Sequence, residues 1–129
     1  MKRANEYSLG EDVTAIGVAF YVAPYVNAIV RTGTTEEKQL LFESMLEPNR
    51  NKMVPSTKRG HKGEEERLVE QACRVCNNVK NRQTKARDTS LENIERIIEE
   101  RGLLNNKILA IKLDEDNAVD KNLSGLIAN

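Results

Sequence analysis

One stretch of this sequence constrains the fold more than any other, because residues 64–101 contain neither proline nor glycine. Gly102 follows directly, where a helix commonly ends on a left-handed glycine. The pattern predicts one helix of about 38 residues, roughly 57 Å long. Two helices broken near Asp88 are the alternative, since residues 89–92 match a capping box. Apolar residues recur at approximately helical spacing: Leu68, Ala72, Val75, Val79, Ala86, Leu91, Ile94 and Ile98.

The middle of this stretch, NNVKNRQTKARDTS, is polar on nearly every face of a helix. Such a segment either bridges two packed bodies or is no stable helix. Tryptophan is absent, aromatic residues make up 4% of the chain and charged residues reach 31%. We therefore expect a mainly α protein with a little β, few large core residues and a heavily charged surface.

Positive charge is concentrated in the middle of a chain whose net charge is zero. Residues 50–90 carry 11 Lys and Arg against 5 Asp and Glu, a net of +6, and each flank carries −3. Such a run is typical of a polyanion track, but equally of a solvated face, and it lacks the interleaved aromatics that stack on bases. We call its cations the basic belt: Arg50, Lys52, Lys58, Arg59, Lys62, Arg67, Arg74, Lys80, Arg82, Lys85 and Arg87.

The apolar block of residues 13–30 contains Pro24, which lacks an amide donor and clashes with a preceding helical turn. It predicts two short helices, the second opened by Pro24. Asn27 and Arg31 are four residues apart and therefore share a face of that second helix. No apolar run reaches the roughly 20 residues of a membrane span. We expect a soluble, cytoplasmic chain without a membrane partner.

Thr34, Thr35, Glu36 and Glu37 form a capping-box pattern that opens a third helix, which ends at Pro48 and Asn49. Residues 49–63 are rich in turn-forming and basic residues and predict a loop. Residues 107–113 predict a short strand, followed by an acidic turn and a Gly-containing helix start, as at the opening of an α/β domain. A lone strand leaves its backbone groups unpaired, so the sequence looks cut at its C-terminus.

The candidate metal ligands are few. Zinc usually takes four Cys or His ligands, so we interpret Cys73 and Cys76 as small thiols of a buried helix face. His61 lies in a basic loop without a designated nucleophile or carboxylate partner, and we expect it to be solvated or to contact a phosphate. The acidic residues at 64–66 and 114–116 are interpreted as helix-start and turn carboxylates. No catalytic or metal-binding residue is predicted in this chain.

Three segments carry a family resemblance. Residues 19–45, AFYVAPYVNAIVRTGTTEEKQLLFESM, contain a Pro, then Asn-Ala, then Arg-x-Gly ahead of a helix. Residues 75–94 contain Asn78, Arg82 and Gln83, and the third segment is KILAIKL followed by LSGLIAN. In this order and spacing, the segments resemble RecJ-like exonucleases of the DHH phosphoesterase superfamily, which are specific for single-stranded DNA, and particularly their phage-like branch.

The resemblance implies an internal fragment of a two-domain α/β DHH phosphoesterase. Residues 1–48 would be the C-terminal part of the DHH domain, 49–63 a basic loop, 64–102 the long helix that links the domains, and 103–129 the start of the DHH-associated domain. The family's metal site is built from an Asp-x-Asp pair and an Asp-His-His triplet, which normally lie earlier in the chain. The triplet does not occur here. The implied parent hydrolyses single-stranded DNA from the 5′ end with Mn²⁺ or Mg²⁺, in DNA recombination and repair. This chain alone would be inactive.

The resemblance also implies binding residues, with single-stranded DNA and the remainder of the nuclease chain as partners. Asn27 and Arg31 would lie beside the cleft, where an arginine holds a phosphate with two hydrogen bonds. Arg82 would line the groove or pair with a carboxylate. Charge as much as similarity adds four residues of the loop: Lys58, Arg59, His61 and Lys62.

Two other functions stay open at this point. A non-enzymatic helical protein that binds nucleic acid would bind single strands without metal, with an affinity that falls steeply with salt. A helical interaction or coiled-coil module over residues 64–101 would self-associate, although its apolar stripe is too interrupted for strict heptads.

Overall fold

The computed structural model describes residues 13–108, 110–113 and 119–128. Its secondary structure agrees with the expected mainly α composition, while the two-domain parent remains a prediction. The helices are α1 (Ala15–Tyr21), α2 (Ala23–Thr32), α3 (Thr35–Met45), α4 (Leu68–Glu100) and α5 (Ser124–Ile127), with 3₁₀ helices at Glu47–Asn49 and Leu103–Asn105. Strands β1 (Met53–Pro55) and β2 (Glu65–Arg67) form an antiparallel pair.

Two short helices begin the described chain, as Pro24 predicts. Thr14 caps α1, where its hydroxyl oxygen accepts a hydrogen bond from the Gly17 N–H at 3.0 Å. α2 follows a turn at Val22 and carries Pro24 in its first turn, where a missing N–H costs nothing. By length and composition alone, Ala15–Thr32 also fits a membrane span, which is a weak signal this close to an N-terminus. The cytoplasmic location therefore remains a prediction.

The capping box of α3 is confirmed. Thr34 Oγ1 accepts from the Glu37 N–H at 3.3 Å, and Glu37 Oε2 accepts from the Thr34 N–H at 2.8 Å. Two amides that the helix cannot satisfy itself are thus bonded. The helix ends at Met45, three residues before Pro48, and a 3₁₀ turn carries the chain onward.

The predicted loop at residues 49–63 is wrong in part, because it contains β1. Met53 pairs with Arg67 and Pro55 with Glu65 in the antiparallel register. Pro55 is tolerated because both strands of a two-stranded sheet are edge strands. One side of each backbone then makes no inter-strand hydrogen bonds, and proline, which lacks an N–H, is accepted in such strands. The predicted helix start at Glu64 is wrong for the same reason: residues 65–67 extend to pair with β1, and α4 begins at Leu68.

α4 is one continuous helix of 33 residues, about 50 Å long. The prediction of one helix is therefore confirmed, and the alternative of two helices broken near Asp88 is wrong. Gly102 follows it with a φ of 60°, the left-handed conformation expected after a helix. Residues 80–89 are exposed or half-buried, in agreement with the polar middle of the sequence.

The hydrophobic core joins the first half of α4 to α2 and α3. Its buried members are Ala28, Ile29, Leu41, Cys76 and Val79, with Tyr25, Val26 and Val75 packed against them. Burial of these side chains supplies the main favourable free energy for this part of the chain. The early positions of the predicted apolar stripe are therefore core positions.

Two compact units divide the chain within α4, the first ending at Asn81 and the second beginning at Arg82. This boundary lies inside the predicted linking segment of residues 64–102. In the second unit, Ile97 and Leu123 are buried, and α5 confirms the predicted helix start.

The strand predicted at residues 107–113 is wrong over the part that the structure describes. Residues 107–108 and 110–113 are not in a strand, and Ile108 is 82% exposed. Extended backbone is stable only when a neighbouring strand satisfies its amides and carbonyls. No strand among the described residues pairs with this segment. The acidic turn at 114–118 lies outside the described residues.

Candidate nucleic-acid interface

We call residues 56–64, which connect β1 to β2, the basic turn. Its ends are joined where the Ser56 N–H donates to the Glu64 carbonyl oxygen at 2.8 Å. Gly60 and Gly63 have φ angles of 85° and 92°, which residues with side chains adopt only under strain. This compact backbone exposes the four predicted binding residues, Lys58, Arg59, His61 and Lys62.

A buried carboxylate, Glu66, lies under the basic turn. Its side chain is 3% exposed, and each of its two oxygens lies 2.7 Å from a guanidinium nitrogen of Arg74. Oε1 also accepts from Gln71 Nε2 and from the Thr57 N–H, both at 3.1 Å. Lys58 Nζ approaches Oε2 at 3.4 Å. The Glu66 network, as we name these five residues, ties the turn and the hairpin to α4.

The Glu66 network explains how a buried charge is tolerated. Hydrogen bonds from Arg74, opposed by burial and helped by Gln71 and Thr57, hold the pKa of the Glu66 carboxyl far below its usual range. The same pair raises the pKa of the Arg74 guanidinium. A buried charge is stable when it is paired and its remaining lone pairs are bonded, as they are here. The interpretation of Glu66 as a helix-start carboxylate is therefore wrong.

The basic turn also holds cations that remain available to a ligand. Among the described residues, Arg59 and Lys62 have no ion-pair or hydrogen-bond partner for their side chains, and both are exposed. Lys58 remains 42% exposed despite its approach to Glu66. These are the residues of the predicted site that are best placed to meet phosphates.

His61 has a partner that the sequence does not designate. Its Nδ1 lies 2.7 Å from Glu64 Oε2, and both side chains are about half exposed. The pair spans one end of the basic turn. A carboxylate beside an imidazole orients the ring. That His61 is solvated or contacts a phosphate stays a prediction.

Asn27 and Arg31 lie exposed on α2, away from its buried residues Ala28 and Ile29. No hydrogen bond or ion pair within the described residues joins either of them to the basic turn. The structure therefore places the predicted binding residues on separate elements. On the inner side of α2, Lys80 of α4 stacks its ammonium 4.2 Å from the centre of the Tyr25 ring.

Several members of the basic belt are committed to contacts inside the chain. Arg67 donates to Asn51 Oδ1 at 2.8 Å, and Arg87 pairs with its neighbour Asp88 at 2.6 Å. Arg74 is held in the Glu66 network, and Arg82 has a contact of its own. The belt is thus not one continuous track of free charges. Its exposed members without a partner among the described residues are Arg59 and Lys62 of the basic turn and Lys85 of α4.

The chain is 32% identical over 130 residues to YorK of Bacillus subtilis strain 168, which derives from the SPbeta prophage, and equally to YorK of Bacillus phage SPbeta. Both carry the provisional name of single-strand DNA-specific exonuclease. The chain is a distant relative of these phage proteins. The match covers 98% of this chain but only 22% of each relative. No family model and no solved structure matches the chain.

The implied Mn²⁺ or Mg²⁺ of a RecJ-like parent does not fit the residues that the structure describes, because no three His, Cys, Asp or Glu side chains among them come together. Cys76 is buried in the core, and burial raises the pKa of its thiol to about 11. Cys73 is half-buried beside it. The cysteines are thus small residues of the helix, as predicted, and we derive no step through a metal.

Sequence reasoning missed the pairing of Glu66 with Arg74. Eight positions separate them, which places them on different elements and outside any helical pairing rule. The available signal was the β-prone Met53 and Val54 ahead of a loop with two glycines, which is a hairpin pattern. Three-residue strands are too short for that pattern to outweigh the helical interpretation of residues 64–67.

Proposed function

We propose that this chain is the part of a single-strand DNA-specific exonuclease that holds the DNA strand. The observation that carries the proposal is the exposed basic turn, whose Arg59 and Lys62 lack partners within the described residues. The names of the similar phage proteins support the same substrate. The chain spans about a fifth of the length of those relatives, so the activity belongs to a larger protein in this proposal.

The finer proposal rests on the family resemblance. The parent is a RecJ-like DHH enzyme of the cytoplasm that degrades single-stranded DNA from its 5′ end in recombination and repair. Its Mn²⁺ or Mg²⁺ is held by the Asp-x-Asp and Asp-His-His motifs outside this segment. Within the segment, Lys62 contacts phosphates as a point charge and Arg59 as a donor of two hydrogen bonds, while Asn27 and Arg31 contact the strand from α2.

The test is binding of a fluorescein-labelled oligothymidylate to the 129-residue chain, followed by fluorescence anisotropy over a range of salt concentrations. We expect an affinity that falls steeply with salt, since phosphate contacts release counterions. The Arg59→Ala/Lys62→Ala variant should bind several-fold more weakly. Its slope of log affinity against log salt should be smaller by about 1.4, because each lost contact to a single strand removes about 0.7.

Lys38→Ala/Lys121→Ala is the matched control, since it removes two exposed cations that lie outside the basic turn. It should retain the slope of the unmodified chain. An affinity for oligothymidylate that does not change between low and moderate salt would refute the proposed function.

The second candidate is a non-enzymatic protein that binds nucleic acid. It is favoured by the exposed cations of the basic turn, because contacts between such cations and phosphates need no metal. Both candidates predict the same binding, so the coding sequence that flanks this segment discriminates them. Asp-x-Asp and Asp-His-His motifs upstream support the nuclease, and a reading frame without them supports the binding protein.

A further inference from the structure

We propose that Glu66 is a positioning residue, which holds the basic turn on α4 in the geometry that binds single-stranded DNA. The inference rests on the proposed function and deepens it. Glu66 itself contacts no DNA, because its side chain is 3% exposed. It acts through Lys58, Thr57 and Arg74.

The contacts of the Glu66 network reach both the turn and the helix. On the turn side, Glu66 accepts from the Thr57 N–H at 3.1 Å and attracts Lys58 Nζ at 3.4 Å. On the helix side, it accepts two bonds of 2.7 Å from Arg74. Arg74 completes the link by donating to Thr57 Oγ1 at 2.7 Å. Thr57 and Lys58, the second and third residues after β1, are therefore joined to α4 through one buried carboxylate.

Gln71 closes the network from the other side. Its Nε2 donates to Glu66 Oε1 at 3.1 Å and to the Pro55 carbonyl oxygen at 3.0 Å. Three bonds from α4 and one from the turn backbone thus meet at Glu66. A bidentate Arg–carboxylate pair is directional as well as strong, so it fixes orientation and not merely proximity. Of the open cations, Arg59 follows Lys58 directly in the chain, and Lys62 lies three residues after Arg59.

Charge alone predicts the opposite effect of removing this carboxylate. Replacing Glu66 by glutamine makes the protein more positive beside the basic turn, which by itself strengthens attraction to DNA. A positioning role predicts weaker binding, because Arg74 and Lys58 lose their shared partner and the turn is no longer held. The sign of the change in affinity therefore separates positioning from simple electrostatics.

The experiment compares Glu66→Gln with Glu65→Gln in the full chain, using the same labelled oligothymidylate. Glu65 is exposed on the same strand, so its replacement changes the charge equally without touching the network. We expect Glu65→Gln to bind slightly more tightly than the unmodified chain. Glu66→Gln should bind several-fold more weakly, and this loss should disappear in the Arg59→Ala/Lys62→Ala background. Tighter binding by Glu66→Gln, or an equal loss in both backgrounds, overturns the proposal.

A second variant decides the matter if circular dichroism shows Glu66→Gln to be unfolded. Arg74→Lys keeps the charge but cannot form two parallel bonds to the carboxylate. Weaker binding by folded Arg74→Lys supports the proposal, and binding equal to that of the unmodified chain overturns it. Val79→Ala destabilises the hydrophobic core without touching the network and should leave the salt slope unchanged. If the unmodified chain shows no salt-dependent binding, the proposed function itself fails. If the unmodified chain binds as expected and the Glu66 and Arg74 variants bind equally well, the positioning role alone fails.

Discussion

At the scale of single residues, one buried carboxylate connects stability to the candidate interface. Glu66 is the most thoroughly bonded acidic side chain in the hairpin, and its partners come from the turn and from α4. A buried ion pair of this kind adds little net stability over an apolar contact, but removal of one partner is costly. The hairpin therefore depends on both members of the Glu66–Arg74 pair.

The stability contributed by Glu66 should depend on pH in a defined direction. Its folded-state pKa is depressed below the ordinary value of 4.5, so this stability is present above pH 4.5 and is lost as the pH falls towards the folded pKa. We expect the free energy of unfolding of Glu66→Gln at neutral pH to be lower by about 2 kcal/mol, the scale of hydrogen bonds to a charged group. The difference should shrink below pH 4.5. Urea titrations across this range measure it.

Glu65→Gln serves as the control for the pH series, because Glu65 is exposed and outside the network. Its unfolding free energy should follow that of the unmodified chain at every pH. A Glu66→Gln deficit that stays constant from neutral to acid pH would show that the carboxylate charge does not stabilise the fold.

At the scale of elements, α3 depends on its cap more than on an amphipathic face. Leu41 is its one buried residue, whereas Phe42 and Met45 are largely exposed. The reciprocal bonds between Thr34 and Glu37 compensate by fixing its first turn. A helix that buries little apolar surface gains a larger share of its stability from such local terms.

Replacing Thr34 by alanine should lower the free energy of unfolding by about 1 kcal/mol, because the Glu37 amide loses its acceptor. Thr34→Ser keeps the hydroxyl and should be nearly neutral. Thr35→Ala, one residue further on, removes a threonine outside the cap and should have little effect. Denaturant titration compares the three variants. Equal losses in Thr34→Ala and Thr35→Ala would contradict the role of the cap.

Also at this scale, the hairpin shows where local patterns stop being informative. A strand of three residues is too short to show the alternation of apolar and polar residues that is typical of strands. In the sequence, β2 is followed directly by the long helical pattern of α4. Its extended backbone is favoured by pairing with residues 53–55, which lie ten or more positions away. The Glu66 side chain is buried by the same pairing, and this made the sequence-based interpretation of its carboxylate wrong.

At the scale of the whole molecule, the charge is balanced overall but uneven along the chain. The zero net charge gives no general attraction to nucleic acid, so binding must come from a local concentration of cations. Internal ion pairs neutralise part of the basic belt, including Arg74 and Arg87. The basic turn is the part of the belt with the largest unpaired positive charge in the described structure.

The 129-residue chain should bind oligothymidylate in EDTA at least as well as in Mn²⁺, because the proposed contacts are between cations and phosphates and a divalent cation competes for the same phosphates. It should not shorten the labelled DNA under either condition, since the proposal assigns hydrolysis to motifs outside this segment. Anisotropy measures binding, and denaturing electrophoresis measures the length of the DNA. Shortening that requires Mn²⁺ would show that the chain carries a metal site of its own, contrary to the proposal.

The sequence by itself determined the features that depend on residues a few positions apart. The break at Pro24, the cap at Thr34 and the left-handed glycine after α4 all follow from backbone and side-chain rules within one or two helical turns. The same rules left open whether residues 64–101 form one helix or two. The exposure of Arg59, His61 and Lys62 also follows from a polar, glycine-containing segment.

Only the tertiary structure decided which charges are free and which are used. Arg74 and Arg59 are indistinguishable as members of a basic belt, yet one is bonded to a buried carboxylate and the other has no partner in the described chain. The difference arises because β1 and β2 bring the turn back over α4, and such long-range pairing leaves no periodic trace in a short segment. Residues 107–113 show the converse, since strand propensity without a partner strand does not produce a strand.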